Sequence, residues 1–230
     1  MSNKNLVVIE SGISGGSLSP IVLSAQKNFR SFSDTHTLQY CKDNNQDKIN
    51  SFSMEDMTFI KYEKLFYKSL NNLEIKRYEK IFYIAHSFQS LVFLYIYKNM
   101  KKELKDKFYI IFWDPSTKEN ILEALNKYFY KTKSIYHEKL KQEESSVLFS
   151  ESIKKEIESL NVKNIFENVS NKSLLITAEK AGDQIGGIYS SYNKNVQYFC
   201  IKNSGHMFGA TKCRRELLKI TKNFMKDPER

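Results

Sequence analysis

The chain has 230 residues, 41% hydrophobic and 27% charged, with a formal net charge of +10. That length suits one α/β core, and that hydrophobicity excludes a disordered chain. The positive charge invites nucleic acid or acidic partners. Yet lysines alternate with acids, as in KNMKKELKDK, and no RRM, KH, zinc-finger or helix-turn-helix pattern is present, so nucleic acid is not expected.

The N-terminal stretch MSNKNLVVIE holds one lysine and a short apolar run, Leu6 to Ile9, too brief for a signal-peptide core. The apolar run Leu91–Tyr97 is far too short to span a bilayer. Both features predict a cytoplasmic protein with no membrane span. Cys41, Cys200 and Cys213 are widely spaced and odd in number, which points to neither a disulfide framework nor a zinc site. No cofactor is expected.

Along the chain, apolar runs of strand length alternate with helix-period stretches, as in a parallel sheet covered by helices. The pattern predicts strands at Asn5–Glu10, Thr35–Cys41, Lys80–Ala85, Phe108–Trp113, Ser173–Thr177 and Val196–Ile201. Helices are predicted at Leu18–Asn28, Met54–Leu73, Phe88–Leu104, Lys118–Phe129 and Cys213–Met225. The third is apolar nearly all round (LVFLYIY) and belongs in the centre of the fold; the last carries Leu217, Leu218, Ile220 and Phe224 on one face. Residues 115–172 form a long, lysine-rich stretch with helical patterns and no predicted strand. This reads as a helical cap or lid inserted into a single α/β domain spanning residues 1–230. Its Leu122, Leu125, Phe129 and Leu148 are expected to face an apolar ligand.

All eight glycines fall in three stretches, each after a predicted strand: SGISGG, AGDQIGG and SGHMFG. Loops that follow parallel strands share one edge of the sheet, where ligands bind. The third stretch carries His206, the second Asp183. Ser87 sits between an apolar strand and an apolar helix, in IFYIAHSFQS, and reads either as a nucleophile at a tight elbow or as a helix N-cap.

These stretches resemble the α/β-hydrolase family over almost the whole chain. Ala85-His86-Ser87-Phe88-Gln89 is similar to the family elbow G-H-S-x-G. Ser11-Gly12-Ile13-Ser14-Gly15 is similar to its H-G-x-x-G oxyanion loop, and Asn203-Ser204-Gly205-His206 to its histidine loop. The family order of serine, acid and histidine is kept. The resemblance implies an α/β fold with a mostly parallel sheet of about six strands. It implies Ser87 as nucleophile, His206 as base, and the backbone N–H groups of Ile13 and Phe88 as an oxyanion hole. Gly12, Gln89 and Met207 become candidates for the substrate site, and His86 is expected to point away from it.

Two acids compete for the third role. Asp183 follows the strand SLLIT, where the family commonly keeps its acid, but two residues later than the usual G-x-x-D spacing. Asp114 ends the strand before, in IIFWDPS, as in thioesterase domains of fatty-acid, polyketide and nonribosomal-peptide synthesis, which this chain resembles there. Asp114 is the favoured acid, although a D-P at this place also serves as a turn and helix cap. The implied activity is hydrolysis of an acyl ester or thioester, with an acidic acyl carrier protein as a partner for the basic surface. The elbow departs from the family at Ala85 and above all at Gln89. That departure keeps open a non-catalytic binding protein, and the same acyl-enzyme could serve an acyltransferase or cyclase.

Overall fold

The computed structural model describes residues 4–10, 19–38, 58–132, 135–138 and 148–229; at 128–132, 135–138, 148–149 and 181–187 it describes backbone alone. Six strands form the main sheet: β1 (Asn5–Glu10), β2 (Asp34–Thr37), β3 (Lys80–His86), β4 (Phe108–Trp113), β8 (Ser173–Ala178) and β9 (Val196–Ile201). Their order is β2-β1-β3-β4-β8-β9 and every pair is parallel. Between β4 and β8, β5 (Phe129–Thr132), β6 (Ile135–Glu138) and β7 (Leu148–Ser150) pair antiparallel in a small separate sheet.

The central strands are apolar at successive positions because both faces are covered. Leu6, Val8, Tyr83, Ile110 and Phe112 join one core, with Phe66 and Leu70 of α2 (Phe59–Asn72) and the buried length of α3 (Gln89–Asn99). Val7, Ile9, Phe82, Ile84, Ile111 and Trp113 join the other, under α1 (Pro20–Phe29) and α9 (Thr211–Lys226). Trp113 Nε1 also donates to Thr221 Oγ1 at 3.0 Å inside that second core, fixing the end of β4 to α9. The long third helix expected through Leu104 is cut at Met100, and a short helix, α4 (Lys102–Lys105), follows.

The stretch 115–172 is not the strandless helical lid the sequence suggests. It contains α5 (Lys118–Tyr128), the three-stranded sheet, α6 (Glu151–Ser159) and α7 (Val162–Glu167). Leu125, Ile153, Ile157, Ile165 and Phe166 are buried in the same core as α2 and α3. Leu125 is therefore a core residue. Glu156 of α6 accepts the Phe59 N–H at 2.6 Å, capping α2, and burial raises its pKa. This half of the segment is a structural layer of the domain.

α8 (Glu179–Tyr192) starts directly at the end of β8. Gly182, Gly186, Gly187 and Asp183 lie inside this helix, not in the loop that the glycines suggest. The chain reaches helix there because β8 ends with Thr177 and Ala178 fully buried, and Glu179 supplies an acid at the first turn, where the helix dipole favours it. Among the described residues no helix is long and apolar enough to cross a membrane, and no group of three or more His, Cys, Asp or Glu could hold a metal ion.

Candidate active site

β3 ends at His86, and α3 begins at Gln89. Between them Ser87 takes φ 57°, the left-handed region that a serine enters at a cost of roughly 1–2 kcal/mol. The turn is held by its neighbours. Ser87 N–H donates to the Trp113 carbonyl at 3.1 Å, and the Ser87 carbonyl accepts from Ser90 Oγ at 2.6 Å and from Ser116 N–H at 3.2 Å. Ala85 lies in extended strand and Gln89 in helix, so neither position needs the backbone freedom of glycine; only side-chain space is at stake. Ala85 is fully buried and Gln89 is 6% exposed, with Oε1 lacking a hydrogen-bond partner among the described residues. The sharp turn therefore forms with a glutamine in the first turn of α3.

Asp114 follows β4 and also has positive φ, 41°. Its N–H donates to the Ile176 carbonyl at 2.7 Å, and its Oδ1 accepts the Ala178 N–H at 2.9 Å. The carboxylate is thus tied to β8 and 97% buried, leaving Oδ2 for a partner. That partner is His206, whose Nδ1 lies 2.5 Å from Oδ2. His206 Nε2 lies 2.9 Å from Ser87 Oγ. With Nδ1–H given to the carboxylate, Nε2 is left as the acceptor for the serine proton. The imidazole is about 40% exposed, so the serine–histidine pair is open to an incoming molecule.

His206 rides on a loop, residues 203–209, between β9 and α9. Asn203 (φ 57°) and Phe208 (φ 47°) make its two sharp bends. The loop is pinned by Asn203 N–H to Glu179 Oε2 at 2.7 Å, by Lys180 N–H to the Ser204 carbonyl at 3.0 Å, and by the Lys202–Glu179 ion pair at 3.0 Å. Met207, the following residue, is 40% exposed.

Other expected residues fall elsewhere. Gly12 and Ile13, with the whole first glycine stretch, lie outside the described residues, as does Cys41. Phe88 is buried at the start of α3, one residue past Ser87, where the first N–H groups of the helix gather. Asp183 lies in α8, and the described acid bonded to His206 is Asp114. Glu10 is buried at the end of β1, beside Ala85 in register.

Two residues of the site escape a reading of the sequence. Ser116 Oγ lies 3.4 Å from Ser87 Oγ, and the Ser116 carbonyl accepts from the buried Tyr189 hydroxyl at 3.1 Å. His86 does not turn away: its ring lies 4.7 Å from that of His206, tilted by 30°, and its Nε2 is 3.0 Å from the His206 carbonyl oxygen. The D-P-S run could have pointed to Ser116. Nothing local points to His86, whose partner is 120 residues away.

No protein-family model and no curated protein matches the sequence. Solved structures match its fold. Est1E from Butyrivibrio proteoclasticus aligns with a TM-score of 0.73 at 12% identity, over 99% of this chain and 89% of that one. A structure from the metagenome-derived lipolytic enzymes LipS and LipT aligns at 0.68 and 14% identity, over 98% and 95% of the two chains. The α/β hydrolase GrgF from Penicillium sp. sh18 aligns at 0.64 and 13% identity, over 98% and 90%. The chain has the α/β-hydrolase fold.

Proposed function

We propose that this α/β-hydrolase-fold protein is a serine hydrolase of acyl esters or thioesters. The observation that carries the reading is the unbroken chain of hydrogen bonds from Ser87 Oγ to His206 Nε2 (2.9 Å) and from His206 Nδ1 to Asp114 Oδ2 (2.5 Å). Its nucleophile sits on a left-handed turn.

In this mechanism the Ser87 oxygen attacks the acyl carbon while its proton passes to His206 Nε2. Asp114 holds the ring tautomer and stabilises the imidazolium. The tetrahedral oxyanion takes hydrogen bonds from backbone N–H groups, with Phe88 and Ile13 in that role by resemblance to the family. Collapse breaks the bond to the leaving alcohol or thiol, which leaves with the proton from Nε2. Water then gives a proton to His206 and adds to the acyl-enzyme. The acid departs and the proton returns to Ser87.

Esters are supported as substrates by the lipolytic enzymes that share the fold. Thioesters, and an acyl group borne by an acidic carrier protein, rest on the acid standing at the end of β4 and on the net charge of +10. The 115–172 segment would border the acyl site where it leaves β4, since Ser116 Oγ lies 3.4 Å from Ser87 Oγ. The test is labelling with a fluorophosphonate probe, read by intact mass. One adduct on the wild type and none on Ser87→Ala is the expected result, after which a panel of acyl esters and thioesters ranks the two leaving groups. A folded wild type that stays unlabelled would sink the reading and put a non-catalytic binding protein in its place.

A further inference from the structure

We infer that His86 is a positioning residue for His206: through its Nε2–H bond to the His206 carbonyl and the contact of the two rings, it sets where the base stands over Ser87. The inference rests on the hydrolase reading above. The bonds that pin the loop act at its edges, on Lys202, Asn203 and Ser204. The bend from Gly205 to Phe208 closes on itself, with Phe208 N–H donating to the Gly205 carbonyl at 2.9 Å. The backbone of His206 is reached by the His86 imidazole, 3.0 Å from its carbonyl, while the His206 side chain is reached by Ser87 at 2.9 Å. Those two grips come from adjacent residues at the rigid end of β3. A shift of the loop therefore cannot open one without straining the other.

The chemistry of His86 fits that task. The ring is 1% exposed, and a carbonyl can only accept, so Nε2 must carry the hydrogen. Nδ1 is buried with no hydrogen-bond partner among the described residues. Burial above all, and then the charge of His206, lower its pKa to about 4. A ring that stays neutral against His206 leaves the imidazolium of the reaction unopposed by a like charge. Phenylalanine at this place would keep the ring and lose the donor, and glutamine would keep a donor at similar reach.

The experiment compares wild type, His86→Phe and His86→Gln by the second-order rate of fluorophosphonate labelling, alongside Tm. His86→Phe is expected to label roughly 10–100-fold more slowly, the penalty of a base displaced by a fraction of an ångström, and His86→Gln within about fivefold of wild type. Wild-type rates in His86→Phe, or equal losses in two variants that keep the wild-type Tm, overturn the inference. Long-range 15N–1H spectra of the wild-type histidines give a second readout needing neither a variant nor turnover. They are expected to show His86 as the neutral Nε2–H tautomer at pH 7, and an Nδ1–H tautomer overturns the inference. A wild type that shows this tautomer but takes no label would instead bring down the hydrolase reading.

Discussion

After β8 the chain turns straight into α8, which carries Gly182, Gly186 and Gly187. After β9 it runs through residues 203–209, with Gly205 and Gly209, before α9 begins. The two stretches are alike in glycine content and each holds one ionisable candidate, Asp183 or His206. They differ in where the bends fall. In the second stretch the left-handed positions are Asn203 and Phe208, and neither glycine occupies one. Elsewhere at the same sheet edge, among the described residues, the left-handed positions are Ser87 and Asp114. At Ser87 and Asp114 the bend is held by a hydrogen bond to a neighbouring strand, Ser87 N–H to the Trp113 carbonyl and Asp114 N–H to the Ile176 carbonyl, rather than by a missing Cβ.

Substituting the two acids one at a time tests this contrast most directly. Asp114→Asn keeps an oxygen for the Ala178 N–H but favours the wrong His206 tautomer. Ser87 labelling should fall by roughly a thousandfold or more. Asp183→Asn in α8 should leave labelling within about twofold. The reverse ranking would return the acid to α8 and remove Asp114 from the mechanism.

The second test strikes the far bend of the loop. Phe208 is fully buried although its backbone is left-handed, and its ring lies 6.5 Å from that of His86. Phe208→Ala should cost about 3–4 kcal/mol of stability in urea unfolding, with slower labelling of the fraction that remains folded. A cost under about 1 kcal/mol would mean that the loop stands without this anchor.

A third effect separates the site from the rest by pH. His86 takes up a proton near its ordinary 6.5 when unfolded and near about 4 when folded. The unfolded state then binds more protons across that window. The His86 contribution is complete above pH 6.5 and is lost as pH falls toward 4, by up to roughly 3 kcal/mol. Wild type should therefore lose stability between pH 6.5 and 4 more steeply than His86→Gln. Parallel curves would show that His86 titrates normally in the fold.

The same contrast explains what could be read from the sequence. β1 and β4 have the bounds their apolar runs suggest, because a strand buried between two helical layers needs hydrophobic residues at nearly every step; β9, a half-buried edge strand, also has the expected bounds. Ser87 and Asp114 could be proposed because each follows a buried strand, and His206 because Asn203-Ser204-Gly205-His206 resembles the family's histidine loop. α8 was illegible, since three glycines in fourteen residues argue against helix and only the tertiary setting overrides them. β5 to β7 are three or four residues each, too short for a period of two to show. The ring contact of His86 with His206 depends on how the β9–α9 loop folds back over β3, which no local pattern records.

A weaker tie joins the two stretches where they touch. Glu179 opens α8, yet its carboxylate serves the other stretch, taking the Asn203 N–H at 2.7 Å and pairing with Lys202 at 3.0 Å. The group is about one-third exposed, so water screens the ion pair and the hydrogen bond to the bent backbone is the larger part. Glu179→Ala should therefore cost only about 1 kcal/mol, and Glu179→Gln, which keeps an acceptor oxygen, less than half of that. Labelling of Ser87 should slow a few-fold in the alanine variant, because Asn203 begins the bend that delivers His206. If alanine and glutamine cost the same, the ion pair rather than the backbone bond joins the stretches, and raising the salt concentration should then mimic either substitution.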